Sequence, residues 1–102
     1  MVKLVNSNEF NEEISKGLVF VDFFANWCGP CKMLSPILEE VSNELTDVKF
    51  IKVDVDSSGD IASMHSVMSI PTLMIFKDGK LINKTSGLMP KDKLIEFINQ
   101  NK

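Results

Sequence analysis

The stretch Leu18-Val19-Phe20-Val21-Asp22-Phe23-Phe24-Ala25-Asn26-Trp27-Cys28-Gly29-Pro30-Cys31-Lys32 joins an apolar run to the only two cysteines of the chain. Its first half, Leu18 to Phe24, is apolar almost without alternation. That is the pattern of a central strand covered on both faces, not of a strand with one face in water. Its second half starts a helix at Cys28. One helical turn holds two sulfurs at this spacing within disulfide reach, and the free N–H groups of a helix start point at the first sulfur and favour its thiolate. A thiolate is the form that attacks another disulfide, so the stretch reads first as redox chemistry.

Working outward, the chain alternates helical and strand patterns. Ser7 to Lys16 places Phe10 and Ile14 four apart, as a short amphipathic helix does, and Gly17 supplies its stop. After Cys28, the side chains Leu34, Ile37, Leu38, Val41 and Leu45 line one helical face, with Glu39, Glu40 and Glu44 opposite. Pro36 falls inside this helix and predicts a kink. Val48 to Val55 reads as a strand. Asp56-Ser57-Ser58-Gly59 is a turn leading into a short helix with Ile61, Met64 and Met68 facing inward, the methionines as core filler. Thr72 to Phe76 and Lys80 to Thr85 flank Asp78-Gly79, a pair suited to a tight hairpin. Pro90 then opens a C-terminal helix that packs Leu94, Ile95, Phe97 and Ile98 back on the sheet. Early strands joined through helices and a late hairpin predict an α/β fold, a central mixed β-sheet flanked by helices on both faces.

The chain's 102 residues suffice for one core, and with no repeat or linker they predict a single domain over residues 1–102. A net charge of −3, with lysine as the only basic residue type besides His65, argues against nucleic acid as a partner. The longest apolar stretch is interrupted by Asp22 and is far too short to span a membrane. Met1 to Val5 reaches polar Asn6 too soon to form a signal-peptide core, so no export is expected. A structural zinc site needs four Cys or His ligands, and the chain offers Cys28, Cys31 and His65; a metal would need carboxylates or a second subunit, and none is expected. A purely structural Cys28–Cys31 bridge would close too small a loop to remove much chain entropy. His65 falls on a short helix and reads as a surface or helix-end residue rather than a catalytic base.

Asp22 in an apolar strand is either an edge carboxylate facing water or a buried one, in which case desolvation raises its pKa toward values useful for proton transfer. Lys52 reads by itself as a solvated strand lysine, Pro71 as a proline at a strand start, and Trp27 as a core residue.

The hexapeptide Trp27 to Lys32 resembles the active-site signature of the thioredoxin family, and the order of strands and helices matches that family's fold over essentially the whole chain. The resemblance implies a protein-disulfide reductase working by dithiol–disulfide exchange, with Cys28 as nucleophile and Cys31 as the resolving cysteine. Gly29 and Pro30 set the loop geometry between them, and a Gly-Pro pair there goes with a reductant. The resemblance matches Asp22 to a buried aspartate that takes the proton from the resolving cysteine, and Lys52 to its neighbouring lysine. It implies a cis peptide at Pro71, with the backbone of Ile70 presented to an extended substrate. It also puts Trp27 on an exposed apolar rim with Gly29, Pro30, Ile70 and Gly87. Phe24 stands where the family often has a second tryptophan, and Ser86-Gly87-Leu88 replaces a more usual apolar-Gly-small run. The implied partners are disulfide-containing target proteins and a thioredoxin reductase as electron donor. The expected molecule is a cytoplasmic monomer that binds no cofactor. Three other readings stay open at this point: a thiol oxidase or isomerase, a binding module using the Trp27 rim, and a sensor switched by the Cys28–Cys31 redox state.

Overall fold

Burial on both faces makes Leu18–Phe24 the central strand, and the rest of the chain is arranged around it. The computed structural model describes all 102 residues. In chain order the elements are β1 (Lys3–Leu4), α1 (Phe10–Glu13), β2 (Leu18–Phe24), α2 (Gly29–Glu44), β3 (Lys49–Asp54), α3 (Gly59–Met64), β4 (Thr72–Lys77), β5 (Lys80–Ser86) and α4 (Lys91–Asn99). They form a five-stranded sheet in the order β1-β3-β2-β4-β5. Strand β2 is parallel to β3 and antiparallel to β4, so the sheet is mixed, as the sequence pattern predicted.

The two-residue pleat of β2 sorts its side chains between two cores. Val19, Val21 and Phe23 join Ile51, Val53, Met74 and Phe76 beneath Phe10 of α1 and Ile61 of α3. Phe20 joins Phe50, Leu73 and Ile75 beneath Leu34, Leu38 and Val41 of α2 and Leu94 and Ile98 of α4. Each fully buried side chain of this size contributes roughly 2 kcal/mol of transfer free energy. By the same alternation Asp22 faces the α2 side. Lys52, its register partner on β3, faces the same way.

Helix α2 continues through Pro36. The β4–β5 turn has positive φ at both central residues, 50° at Asp78 and 86° at Gly79, as a two-residue hairpin turn of this hand requires. Asp78 Oδ1 also accepts the Gly17 N–H at 2.8 Å, tying the hairpin to the loop before β2.

Two expectations are corrected, and one strand is added. The helix expected over Ser7–Lys16 is confined to Phe10–Glu13: the residues before it form a turn in which Asn6 Oδ1 accepts the Glu9 N–H at 3.0 Å, and after it the Ser15 N–H donates to the Glu12 carbonyl at 3.2 Å, a tighter three-residue bond. Phe10 and Ile14 are buried all the same, one turn being enough to set them on one face. Met64 and Met68 are not core filler: they are 69% and 92% exposed. Helix α3 ends at Met64, Ser66 takes a φ of 55°, and Val67 packs inward in their stead. Strand β1 was not foreseen, since two residues with exposed side chains leave no periodic signal; Val5 N–H donates to the Lys52 carbonyl beside it at 2.9 Å. No helix is long and apolar enough to cross a membrane.

Candidate active site

The end of β2 and the start of α2 set the two cysteines. Cys28 is the N-cap of α2, with extended backbone (φ −86°, ψ 115°), and Pro30 lies in the first turn, where its missing N–H leaves no bond unmade. Cys28 and Cys31 are joined as a disulfide with their Cα atoms 5.3 Å apart. The Cys28 Sγ accepts the Cys31 N–H at 3.2 Å, so the sulfur sits at the positive end of a 16-residue helix. Both cysteines are buried, and a Cβ added to Gly29 would meet nothing within 4 Å.

A second segment reaches the disulfide from the far end of the chain. The Ile70 carbonyl oxygen lies 3.8 Å from the Cys28 Sγ, and the Ile70–Pro71 peptide is cis. Thr72 Oγ1 donates to the Ser69 carbonyl, and Gly87 N–H donates to the Pro71 carbonyl at 2.8 Å. Gly87 has a φ of 98°, a conformation in which a side chain is strained. Trp27 is 70% exposed, and its indole N–H donates to Asp56 Oδ2 at 3.0 Å. Trp27 and Ile70 line one groove together with Val55, Val67, Met68 and Ser69. Gly29 and Pro30 are exposed at the helix start, whereas Gly87 touches the Pro71 backbone without lining that groove.

On the other side of the disulfide a pocket of about 150 Å³ is lined by Asp22, Phe24, Ala25, Asn26, Cys31, Lys32, Ser35 and Lys52. Asp22 is 3% exposed, and its Oδ1 has no hydrogen-bond partner in the protein. Burial pushes its carboxyl up to about 7, against a smaller downward pull from the Lys52 ammonium. The Lys52 Nζ lies 5.6 Å from the centre of the Phe24 ring. The pocket therefore holds Cys31 beside a carboxyl whose proton affinity burial has raised to about the neutral range.

His65 stands apart from both features. It caps the C-terminus of α3, with its ring packed against Phe10, Phe23 and Phe76 at 5.2 to 6.3 Å between centroids. No group of His, Cys, Asp and Glu side chains is arranged to hold a metal ion.

A cysteine pair on a helix start, facing a proline-preceding carbonyl and backed by a buried carboxyl, sits in a sequence that matches the thioredoxin family model over residues 1–100. The chain belongs to the thioredoxin family. It is 52% identical over 101 residues to the thioredoxin of Chlamydia trachomatis serovar D, covering 99% of both chains. It is 46% identical over 93 residues to the thioredoxin of Bacillus subtilis strain 168, covering 90% of this chain and 89% of that one. Among solved structures, a mutant thioredoxin from Halobacterium salinarum NRC-1 superposes with a TM-score of 0.90 at 37% identity, covering 97% of this chain and 88% of the other.

The protein is accordingly a thiol–disulfide oxidoreductase, a protein-disulfide reductase of the thioredoxin family that works by dithiol–disulfide exchange through its Cys28–Cys31 pair. Sequence reasoning missed Asp56, Asn26 and Ser35, each of which touches or lines the site. Asp56 was read only as turn chemistry, and no local signal told that its carboxylate would reach an indole 29 residues away.

Proposed function

We propose that Cys28 is the nucleophile and Cys31 the resolving thiol, acting on disulfides in other proteins within one domain that spans the chain. The Cys28 thiolate attacks one sulfur of the target disulfide, forming a mixed disulfide and releasing the other target sulfur as a thiolate that takes a proton from solvent. Cys31 then loses its proton to Asp22 across the shared pocket and attacks the Cys28 sulfur. The second target sulfur leaves as a thiolate and takes up the proton held on Asp22 or one from solvent, so that the target gains two electrons and two protons and Cys28–Cys31 is left as a disulfide. The observation that carries this assignment is the Cys31 N–H directed at the Cys28 sulfur on the N-cap of α2, which favours negative charge on Cys28 over Cys31.

Asp22 is the proton acceptor in this reading, since a carboxyl titrating at about 7 is matched to exchange at neutral pH. Lys52 tunes it by pulling the value down. Gly29 and Pro30 shape the loop, Gly29 leaving room for a target backbone to approach. Trp27 and Ile70, with Pro71 and Gly87 behind them, form the docking face. The free backbone of Ile70 suits an extended target segment paired in the manner of a strand. The reaction draws on no cofactor. A thioredoxin reductase resupplies the electrons, and the protein acts as a monomer in the cytoplasm, where thiols are kept reduced.

The test is turnover of insulin disulfides by the dithiothreitol-charged protein. Wild type reduces insulin rapidly, Cys28→Ser abolishes turnover, and Asp22→Ala slows it most near pH 7. An inert wild type with both thiols free, or a fully active Cys28→Ser, refutes the assignment.

A further inference from the structure

We propose that Asp54 and Asp56 make the Trp27 groove selective for disulfide-bearing segments in which an apolar side chain lies next to a lysine or arginine. The proposal rests on reading this face as the one that meets targets, and adds the chemistry of the segment it prefers.

The groove has a volume of about 200 Å³, and every residue lining it except Ser69 is apolar. It starts at Ile70, whose carbonyl is 3.8 Å from the Cys28 sulfur, so a side chain seated there is carried by a residue near the target cysteine. Met68, on its lip, is 92% exposed. Its unbranched thioether closes over apolar groups of different shape at little energetic penalty. These features call for an apolar side chain, and the rim decides what flanks it.

Val55 lines the groove, and the residues on either side of it are Asp54 and Asp56. Their carboxylates are held by neutral donors alone. Asp56 Oδ2 accepts the Trp27 indole N–H at 3.0 Å; Asp54 Oδ1 accepts the Asp56 N–H at 2.8 Å, and its Oδ2 accepts from Asn26 Nδ2 at 3.4 Å. Neither carboxylate is in an ion pair, although Glu13, Glu39, Glu40, Glu44 and Asp47 each are. No lysine lines the groove; Lys32 and Lys52 line the Asp22 pocket, as does Asn26. One negative charge, Asp56, is thus fixed against the groove's own Trp27, and a second, Asp54, lies behind it toward Asn26; neither is neutralised by an ion pair. An incoming cation is attracted without ordering any side chain on this side, and an incoming carboxylate is repelled.

The test uses synthetic peptides of one design. Each carries a leucine near a cysteine that is disulfide-linked to a chromogenic thiol, and the neighbour of the leucine is Lys, Gln or Glu. Reduced wild type is expected to cleave the Lys peptide roughly 3- to 10-fold faster than the Glu peptide in kcat/KM at low salt, the range for two rim charge pairs. The preference should shrink toward one at 0.5 M salt, where the Debye length is a few ångström. In Asp54→Asn/Asp56→Asn, which keeps the hydrogen-bond acceptors, the Lys:Glu ratio should fall to near one. A wild-type ratio of one at low salt, or a ratio unchanged by salt and by the double substitution, overturns the proposal. The salt series on wild type decides even if the double variant does not fold. Failure to cleave any of the peptides, with a small neutral disulfide still reduced, overturns the proposal alone. Failure with the small disulfide too overturns the exchange reading beneath it.

Discussion

Asp22→Asn should stabilise the oxidised protein, and by an amount that depends on pH in a way no packing change imitates. In the folded state the Asp22 carboxyl titrates at about 7, against 3.8 in the open chain, because burial excludes the water that would solvate its charge. Between those values the native state holds a proton that the unfolded state has released. Stability therefore falls as pH rises from about 4 to about 7, and the penalty is fully present above 7. At ~1.4 kcal/mol per tenfold, the interval corresponds to about 4 kcal/mol. An asparagine carries no such charge. The difference in unfolding free energy between variant and wild type should grow in the variant's favour by about 4 kcal/mol between pH 4 and pH 8. Any cost of seating the amide is a constant offset across the series. Urea unfolding at half-unit pH steps measures it, with the Cys28–Cys31 disulfide intact so that neither thiol titrates. A difference that stays flat within about 1 kcal/mol over that range would refute the reasoning, meaning that Asp22 ionises in the fold as it does in the open chain. The same substitution should slow insulin reduction, since a group that destabilises the fold is the one proposed to accept the proton.

Lys52→Met removes the positive charge that pulls Asp22 down, so the Asp22 titration followed by carboxyl NMR should move above 7; a downward move would show that Lys52 acts otherwise. His65 is held below its ordinary value of 6.5, first by burial and then by the Lys84 charge, so the unfolded chain takes up a proton that the folded one resists. Stability should decline as pH drops below 6.5, and His65→Phe should remove that part of the slope in the same urea series. Phe10→Ala empties a position that is 0% exposed against Phe23 and Phe76, and should lower the unfolding free energy by about 3 to 5 kcal/mol in a denaturant titration. Gly79→Val places a β-branched residue at a φ of 86° and should destabilise by more than about 1 kcal/mol, whereas Lys80→Val beside it should do much less.

What the sequence determined by itself is what neighbours within a turn or a pleat decide. The nearly continuous apolar run of β2, the helical spacing of Leu34, Leu38 and Val41, the Asp78-Gly79 turn and the separation of the two cysteines each rest on contacts a few residues long, and each appears in the fold where the pattern put it. Elements too short to complete a period were misread: α1 was overextended, β1 went unseen, and Met64 and Met68 were sent inward along a helix that ends at Met64 with its side chain exposed and never reaches Met68. The convergence of Asp22, Cys31 and Lys52 on one pocket is of another kind. It requires β3 to lie parallel beside β2 in the register that pairs Asp22 with Lys52, and α2 to cover that face. Likewise the Ile70 carbonyl meets the Cys28 sulfur, and Asp56 meets Trp27, only because the chain returns after 42 and 29 residues. Strand order, register and the face each helix covers are chosen by the burial of two cores at once, and burial is a property of the whole chain. Local pattern thus fixes which atoms can react, and tertiary packing decides which charges and carbonyls surround them.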